Sequence, residues 1–426
     1  MDSNAQQPIQ TQPSCADDYD PMSLSFRDAV QKILDNLSPV ADTEQVDLRA
    51  GLDRILAADV VSPFDVPSHT NSAMDGYAVR GADLPAEGVA AELQVVGTAF
   101  AGRPFSGKIG EGECVRIMTG AVMPEGADTV VIQERVERLD DRIRFDARHR
   151  PGDNVRQAGE DIRRGQVVAR AGRRLGPADL GTLASLGIGT VTVRRRLRVA
   201  FLSTGDELKP IGEPLGPGDV HDSNRYTLYG MLTRAGAELV DLGIVRDDRA
   251  ETRTAFEKAG RGTDMVITSG GVSVGEADYV KETLIALGSV QFWKVAMKPG
   301  RPLTFGRLGD AVFFGLPGNP VSVMVCFYLF VLPALHKLAG ETAPAPMMLK
   351  ARSLSRLKKQ PGRVEFQRAV IDHDEHGELV VRKTGMQGSG ILTSMAQANC
   401  FIVLPIDSGT VEAGEQVDVQ LFAGLI

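Results

Sequence analysis

Cysteine is scarce in this 426-residue chain: Cys15, Cys114, Cys326 and Cys400 form no C-x-x-C pair, and no histidine stands at zinc-finger spacing from them. This excludes a disulfide-stapled scaffold and a zinc module, and it reads as reduced thiols in a cytoplasmic protein. A basic excess is missing as well. The net charge is −8, with 24% charged and 43% apolar residues, so the chain lacks the electrostatic footprint of a nucleic-acid binder. Residues 1–22 have neither a basic n-region nor an apolar h-region, and read as a polar, disordered tail instead of a signal peptide. The most apolar run, 321–335, ends in His336 and Lys337 and falls short of the roughly 20 residues that cross a bilayer. It is expected to be a buried helix, with no membrane partner. Fixed-period repeats are also absent.

A chain of this length exceeds what one hydrophobic core organises, so two to four domains are expected. From "SFRDAVQKIL" to about Ala58 the apolar residues recur at helical spacing, with Ser25 placed to cap the first helix. Between about Gln94 and Val193 short runs such as "CVRIMTG", "DTVVIQERV" and "GTVTVRRR" are punctuated by Gly and Pro, which predicts strands and tight turns, interrupted by a helical "GPADLGTLASLG". After a basic linker at 194–196, strands and helices alternate from "LRVAFLSTGDEL" through "AVFFGLPGNP". That pattern predicts a doubly wound, mostly parallel sheet with helices on both faces. Beyond the Pro-rich "GETAPAPMM" the runs "RVEFQRAVID", "ELVVRKTG" and "NCFIVLP" predict a separate small β-domain.

Four polar loops follow predicted strands: "STGDEL" at 203–208, "RDD" at 246–248, "SGGVSVGEAD" at 269–278 and "GLPGNP" at 315–320. In an open α/β sheet such loops converge on one crevice. The third opens like a phosphate-binding loop but carries no lysine followed by Ser or Thr; carboxylates stand where the cation would be. Any one of these acids is ordinarily explained as a helix cap. Together they predict a phosphate held with a divalent cation. Beside Ser269, a candidate substrate contact, Gly270, Gly271 and Gly275 let the backbone approach the ligand, while Glu207, Asp247 and Asp278 supply hard oxygen ligands. Lys294 and Lys298 lie four residues apart, so strict alternation would put them on one face. Pro320 suits the first position of a helix, so "GLPGNPVS", with Pro317 and Asn319 as candidate substrate contacts, reads as a helix start whose free amides can bind an oxyanion.

The segments "SAMDGYAVR", "IMTGA", "AGEDI", "STGDEL", "SGGVSVGEADYVK", "FWKVAMKPGRP", "GLPGNPVS", "FQRA" and "QGSG" together resemble the MoeA family of molybdopterin molybdenumtransferases, related to the E domains of gephyrin and of the plant molybdenum insertase. The resemblance runs from about residue 23 to the end. It implies a multidomain α/β plus β fold. The expected domains are an entry domain at 23–68 and 151–193, an elongated β-rich insertion at 69–150, a molybdopterin-binding α/β domain at 194–342 and a C-terminal β-barrel at 343–426. It also implies a homodimer with composite active sites, exchanging cofactor with a molybdopterin adenylyltransferase and with downstream cofactor-processing enzymes or molybdoenzymes. The implied reaction is hydrolysis of adenylylated molybdopterin, with release of AMP and insertion of molybdenum from molybdate, assisted by Mg2+ or another divalent cation.

The resemblance makes Asp278 the central metal-binding and catalytic acid, supported by Glu207 as metal ligand and by Asp247. Asp75, Thr119 and Asp161 match positions used from the first two domains, although "MDGYAVR" by itself reads only as a tight turn at Asp75-Gly76. It assigns Lys294 and Lys298 to the pterin phosphate and molybdate, and Ser322, Arg368 and Ser389 to the oxyanion. Two positions depart from the family: Arg301 stands where many relatives have lysine, and Gly390 where histidine is common. Set against this are an adenylyltransferase, which would consume ATP, and a non-catalytic scaffold, which would tolerate loss of the acids.

Overall fold

The computed structural model describes residues 23–270, 279–343 and 345–422. Two compact units emerge: one from Gln45–Leu52 and Leu56–Val193, the other from the rest of the chain.

In the larger unit the first helix, α1 (Phe26–Asp35), begins where expected, with the Asp28 amide donating to Ser25 Oγ at 3.1 Å. It buries Ala29 and Ile33. The helical reading to Ala58 is too long. Asn36 folds back to donate to the Lys32 carbonyl at 2.8 Å, and Pro39 disfavours helix at the residue before it, so the chain passes into a short strand, Thr43–Asp47.

The smaller unit is built on a six-stranded sheet of β1 (Gly76–Val79), β2 (Ala90–Ala99), β3 (Glu113–Ile117), β4 (Thr129–Ile132), β5 (Val136–Leu139) and β6 (Arg142–Asp146), in the order β4-β1-β3-β2-β6-β5. Alternation puts Tyr77, Val79, Cys114 and Val131 in one core and Ala78, Val115, Ile117 and Val130 in another, so the sheet is covered on both faces. Asp75-Gly76 is not a positive-φ turn. Gly76 starts a strand, and a Cβ there would collide with the Val131 carbonyl oxygen, so glycine is needed for close backbone approach. A single helix, α2 (Pro177–Ser185), closes the β-rich texture, with Pro177 at its first position.

The larger unit continues with β7 (Arg198–Thr204), α3 (Ser223–Arg234), β8 (Glu238–Val245), α4 (Arg249–Ala259), β9 (Met265–Ser269), α5 (Tyr279–Leu287), β10 (Gly288–Lys294), β11 (Met297–Lys298), β12 (Pro302–Leu308) and β13 (Ala311–Leu316). The sheet order is β8-β7-β9-β13-β12-β10, parallel through β13 and antiparallel over the last two pairings. Strand β12 is absent from the sequence reading, because Pro302 and Gly306 disguise it. The basic stretch at 194–196 is no solvated linker: the Arg195 guanidinium bridges both Asp264 oxygens at 2.7 and 2.8 Å and reaches Asp42 at 3.0 Å.

The apolar run forms α6 (Pro320–Leu338), 19 residues long. It is long and apolar enough to span a membrane, contrary to the length argument. Its burial gives it another role: most of it is buried, packed with α1 and β13 in the main core.

The C-terminal strands β14 (Met348–Ser353), β15 (Val364–His373), β16 (Leu379–Lys383), β17 (Cys400–Leu404) and β18 (Gln416–Leu421), with the short helix α7 (Thr393–Gln397), make a closed barrel in the order β15-β16-β14-β18-β17, with β17 returning to β15. Strand β11 adds to it, Lys298 pairing with Glu365. The strict alternation assumed for Lys294 and Lys298 therefore fails. Lys294 ends a strand of the α/β sheet and Lys298 lies in the barrel sheet, the direction changing at Val295-Ala296, which bond to Arg301 and Leu24.

Candidate active site

The parallel strands end in register: Thr204 opposite Val245, Ser203 opposite Ser269, and Ser269 opposite Leu316. The loops carrying Glu207, Asp247, Gly270 and Pro317 therefore leave one edge of the sheet side by side. Further bonds knit them together. The Gly205 amide donates to the Val245 carbonyl at 3.4 Å, the Asp247 amide to Asp206 Oδ1 at 3.1 Å, and the Gly270 amide to the Leu316 carbonyl at 3.1 Å. Gly270 adopts φ +89°, and a Cβ there would sit 2.5 Å from the Thr204 carbonyl oxygen, so only glycine lets β9 turn this close to β7. Glu207 and Asp247 are exposed, while Ser269 is 2% exposed. Gly271, Gly275 and Asp278 lie outside the described residues.

A second cluster joins the α/β domain to the barrel. Asn319 precedes α6 and accepts the Val323 amide at 3.0 Å through its carbonyl, while the Val321 amide donates to the Ser389 carbonyl at 3.1 Å. One of the helix-start amides expected to face an oxyanion is thus occupied by Ser389 itself. Ser322 is buried in the first turn. Lys298 lies 3.6 Å from the buried Glu365 carboxylate. Arg368, on β15, is only 1% exposed: its Nε donates to Ser394 Oγ at 3.0 Å and an Nη to the Gly388 carbonyl at 2.9 Å. Among the described residues no carboxylate pairs with it. Burial alone lowers it to about 10, as expected of a guanidinium surrounded by neutral acceptors. A bound oxyanion would favour the charged form and relieve that penalty. Arg368 therefore fixes the 388–389 segment as well as supplying positive charge.

The third cluster lies in the smaller unit. Asp75 Oδ1 accepts both the Thr119 amide and the Thr119 hydroxyl at 2.7 Å. The amide first and the hydroxyl second hold the Asp75 carboxyl below the ordinary aspartate value. In the same unit Gly120 donates to the Ser72 carbonyl at 2.8 Å and the Asp161 amide to the Val66 carbonyl at 3.1 Å. A folded value below the unfolded one contributes stability above the ordinary pKa that is lost as pH falls through the folded value. Thr119→Ala keeps the amide and removes the hydroxyl, so Asp75 should titrate closer to its ordinary value in an NMR titration of side-chain carboxyls. An unmoved midpoint would leave the amide as the whole cause.

Sequence reasoning missed Asp222, Asn224 and Glu365. The first two sit in "HDSNR", a plausible cap before α3; Glu365 in "RVEF" gives no sign of its pairing with Lys298. No group of three or more His, Cys, Asp or Glu residues that could hold a metal occurs among the described residues.

Three family models match in succession: "MoeA N-terminal region (domain I and II)" over residues 24–187, "Probable molybdopterin binding domain" over 200–337 and "MoeA C-terminal region (domain IV)" over 350–422. A curated molybdopterin molybdenumtransferase of Haemophilus influenzae is 45% identical over 405 residues, spanning 95% of this chain and 100% of that one. One from Nostoc sp. is 38% identical over 411 residues and 94% of each chain. Among solved structures, a molybdopterin biosynthesis moeA protein from Pyrococcus horikoshii OT3 superposes with a TM-score of 0.82 at 32% identity, covering 94% of this chain and 100% of that one.

Proposed function

We infer the chemistry of this chain from one premise: it belongs to the MoeA family, the molybdopterin molybdenumtransferases. It is an enzyme of molybdenum cofactor biosynthesis and a transferase acting on molybdopterin. The finer reading is that it takes adenylylated molybdopterin and molybdate, hydrolyses the phosphoanhydride with release of AMP, and inserts molybdenum into the dithiolene. The register of the four parallel strand ends carries this reading, because it sets the close-approach turn at Gly270 and the exposed carboxylates of Glu207 and Asp247 side by side where a pyrophosphate would lie.

The residues suit Mg2+ or a similar divalent cation. Such an ion is usually held by one or two carboxylates together with substrate phosphate oxygens, which suits the exposed carboxylates of Glu207 and Asp247 at the strand ends. When bound, it would neutralise the phosphate charge and polarise the scissile linkage. Glu207 and Asp278 would hold it, and Asp247 supports the loop. Ser269, Gly270, Pro317, Asn319 and Lys294 orient the pterin phosphate. Molybdate belongs to the cluster of Lys298, Ser322, Arg368 and Ser389, whose cations meet a dianion beside buried donors.

The chain acts as a two-fold homodimer in which Asp75, Thr119 and Asp161 of one subunit complete the crevice of the other. Adenylylated substrate arrives from a molybdopterin adenylyltransferase, and the product leaves to cofactor-processing enzymes or molybdoenzymes. Ser389→Ala should raise the molybdate concentration needed for insertion while leaving pterin binding nearly intact. Arg368→Ala should do the same and also lower the melting temperature, since it leaves the Gly388 carbonyl and Ser394 without their partner. Unchanged molybdate dependence in both would locate the oxyanion site elsewhere. The reading is tested by AMP release from adenylylated molybdopterin by the purified protein. It should require a divalent cation and be stimulated by molybdate; release unaffected by omitting either would count against it.

A further inference from the structure

The first turn of α3 meets two paired strand ends with opposite hydrogen-bond polarity. Ser203 and Ser269 are register partners on β7 and β9. Ser203 Oγ donates to the buried Asp222 Oδ1 at 2.9 Å, and a carboxylate only accepts, so that hydroxyl hydrogen is committed inward. Two residues on, Asn224 Nδ2 lies 2.7 Å from Ser269 Oγ and 2.7 Å from the Gly318 carbonyl oxygen. A backbone carbonyl also only accepts, so Gly318 fixes the amide with its nitrogen toward both partners. Ser269 Oγ must then accept, and its own hydrogen is left to donate elsewhere; no described residue receives it. Asn224 is 9% exposed, and its Oδ1 is buried without a partner among the described residues. Buried acceptors are seldom left open, and this one is the cost of holding the amide in that orientation.

We propose that Asn224 is a positioning residue for the phosphate subsite: it ties the end of β9 to the 317–319 loop and commits the Ser269 hydroxyl to donate to a phosphate oxygen of the pterin. This rests on the reading that the strand ends hold that phosphate. Two register-matched serines are thus given opposite roles by residues two apart at the start of α3. With alanine at 224, Ser269 is free to donate to any neighbouring acceptor and the 317–319 loop loses its tether. With aspartate, the shape is kept but the carboxylate recruits the Ser269 hydrogen inward, as Asp222 does for Ser203.

The test is equilibrium binding, under anaerobic conditions, of molybdopterin and of its dephosphorylated form to the full-length protein and to Asn224→Ala, Asn224→Asp, Ser269→Ala and the Asn224→Ala/Ser269→Ala pair. Each single variant should bind molybdopterin about tenfold more weakly, the scale of one hydrogen bond to a charged group. The pair should lose little more than the weaker-binding single variant, and the dephosphorylated pterin should bind all proteins within about twofold, because only phosphate senses the hydroxyl. Asn224→Asp preserves side-chain volume, so the result does not depend on Asn224→Ala folding. Wild-type affinity for molybdopterin in both Asn224 variants, or an equal loss for both pterins, overturns the assignment. A wild-type protein that does not distinguish the two pterins overturns the phosphate reading of the strand ends, and the inference with it.

Discussion

Asp278→Asn is expected to lower AMP release by about two to three orders of magnitude while leaving pterin affinity nearly unchanged, the scale of losing one preorganised charge at a reacting centre. The substitution keeps size and removes charge, so the pterin contacts proposed for Ser269 and Asn319 should persist. The expectation rests on chain position and on the family match across residues 200–337, since Asp278 itself lies outside the described residues. The strand that precedes it in the chain, β9, lies between β7 and β13, the strands that lead to Glu207 and Pro317. Turnover near wild type would remove Asp278 from the mechanism. A parallel collapse of pterin affinity would make it a binding residue instead.

Mixing two inactive variants should restore activity. Asp75→Ala and Asp278→Ala chains, each inactive alone, are unfolded together in equal amounts and allowed to reassociate. Half of the dimers should be hybrids, and in each hybrid one composite site receives both wild-type residues while the other receives neither. Activity should therefore recover to about a quarter of wild type, by counting sites in a two-fold dimer. With both homodimers intact and subunit exchange confirmed, a mixture as inactive as its parents would mean that the two residues serve one chain or that Asp75 only anchors Thr119.

The α/β architecture was legible because hydrophobic period and loop polarity agree there: strand ends carrying "STGDEL", "RDD", "SGG" and "GLPGNP" do leave one edge of the sheet in register. The buried helix was legible from composition, its length less so, because a π-helical stretch at Phe327–Val331 carries it on to Leu338. Harder to see were features set by tertiary pairing. The change of sheet between Lys294 and Lys298 depends on β15, some seventy residues later in the chain, and no local pattern announces it. The bond between Asp75 and Thr119 joins a segment that reads as a turn to the end of the strand-like run "CVRIMTG", and no local pattern links the two. Asn224 was hidden because an Asp-Ser-Asn run before a helix is already explained by capping, and only geometry shows its amide reaching past the cap to Ser269 and Gly318.

The most direct test of the account is reconstitution of a molybdenum-free molybdoenzyme by the purified protein supplied with adenylylated molybdopterin, molybdate and Mg2+. Enzyme activity should appear in step with AMP release, and it should be lost when this protein is omitted or replaced by Asp278→Asn. Equal reconstitution from the same mixture without the protein, or AMP release that yields no active cofactor, would contradict molybdenum insertion as its function.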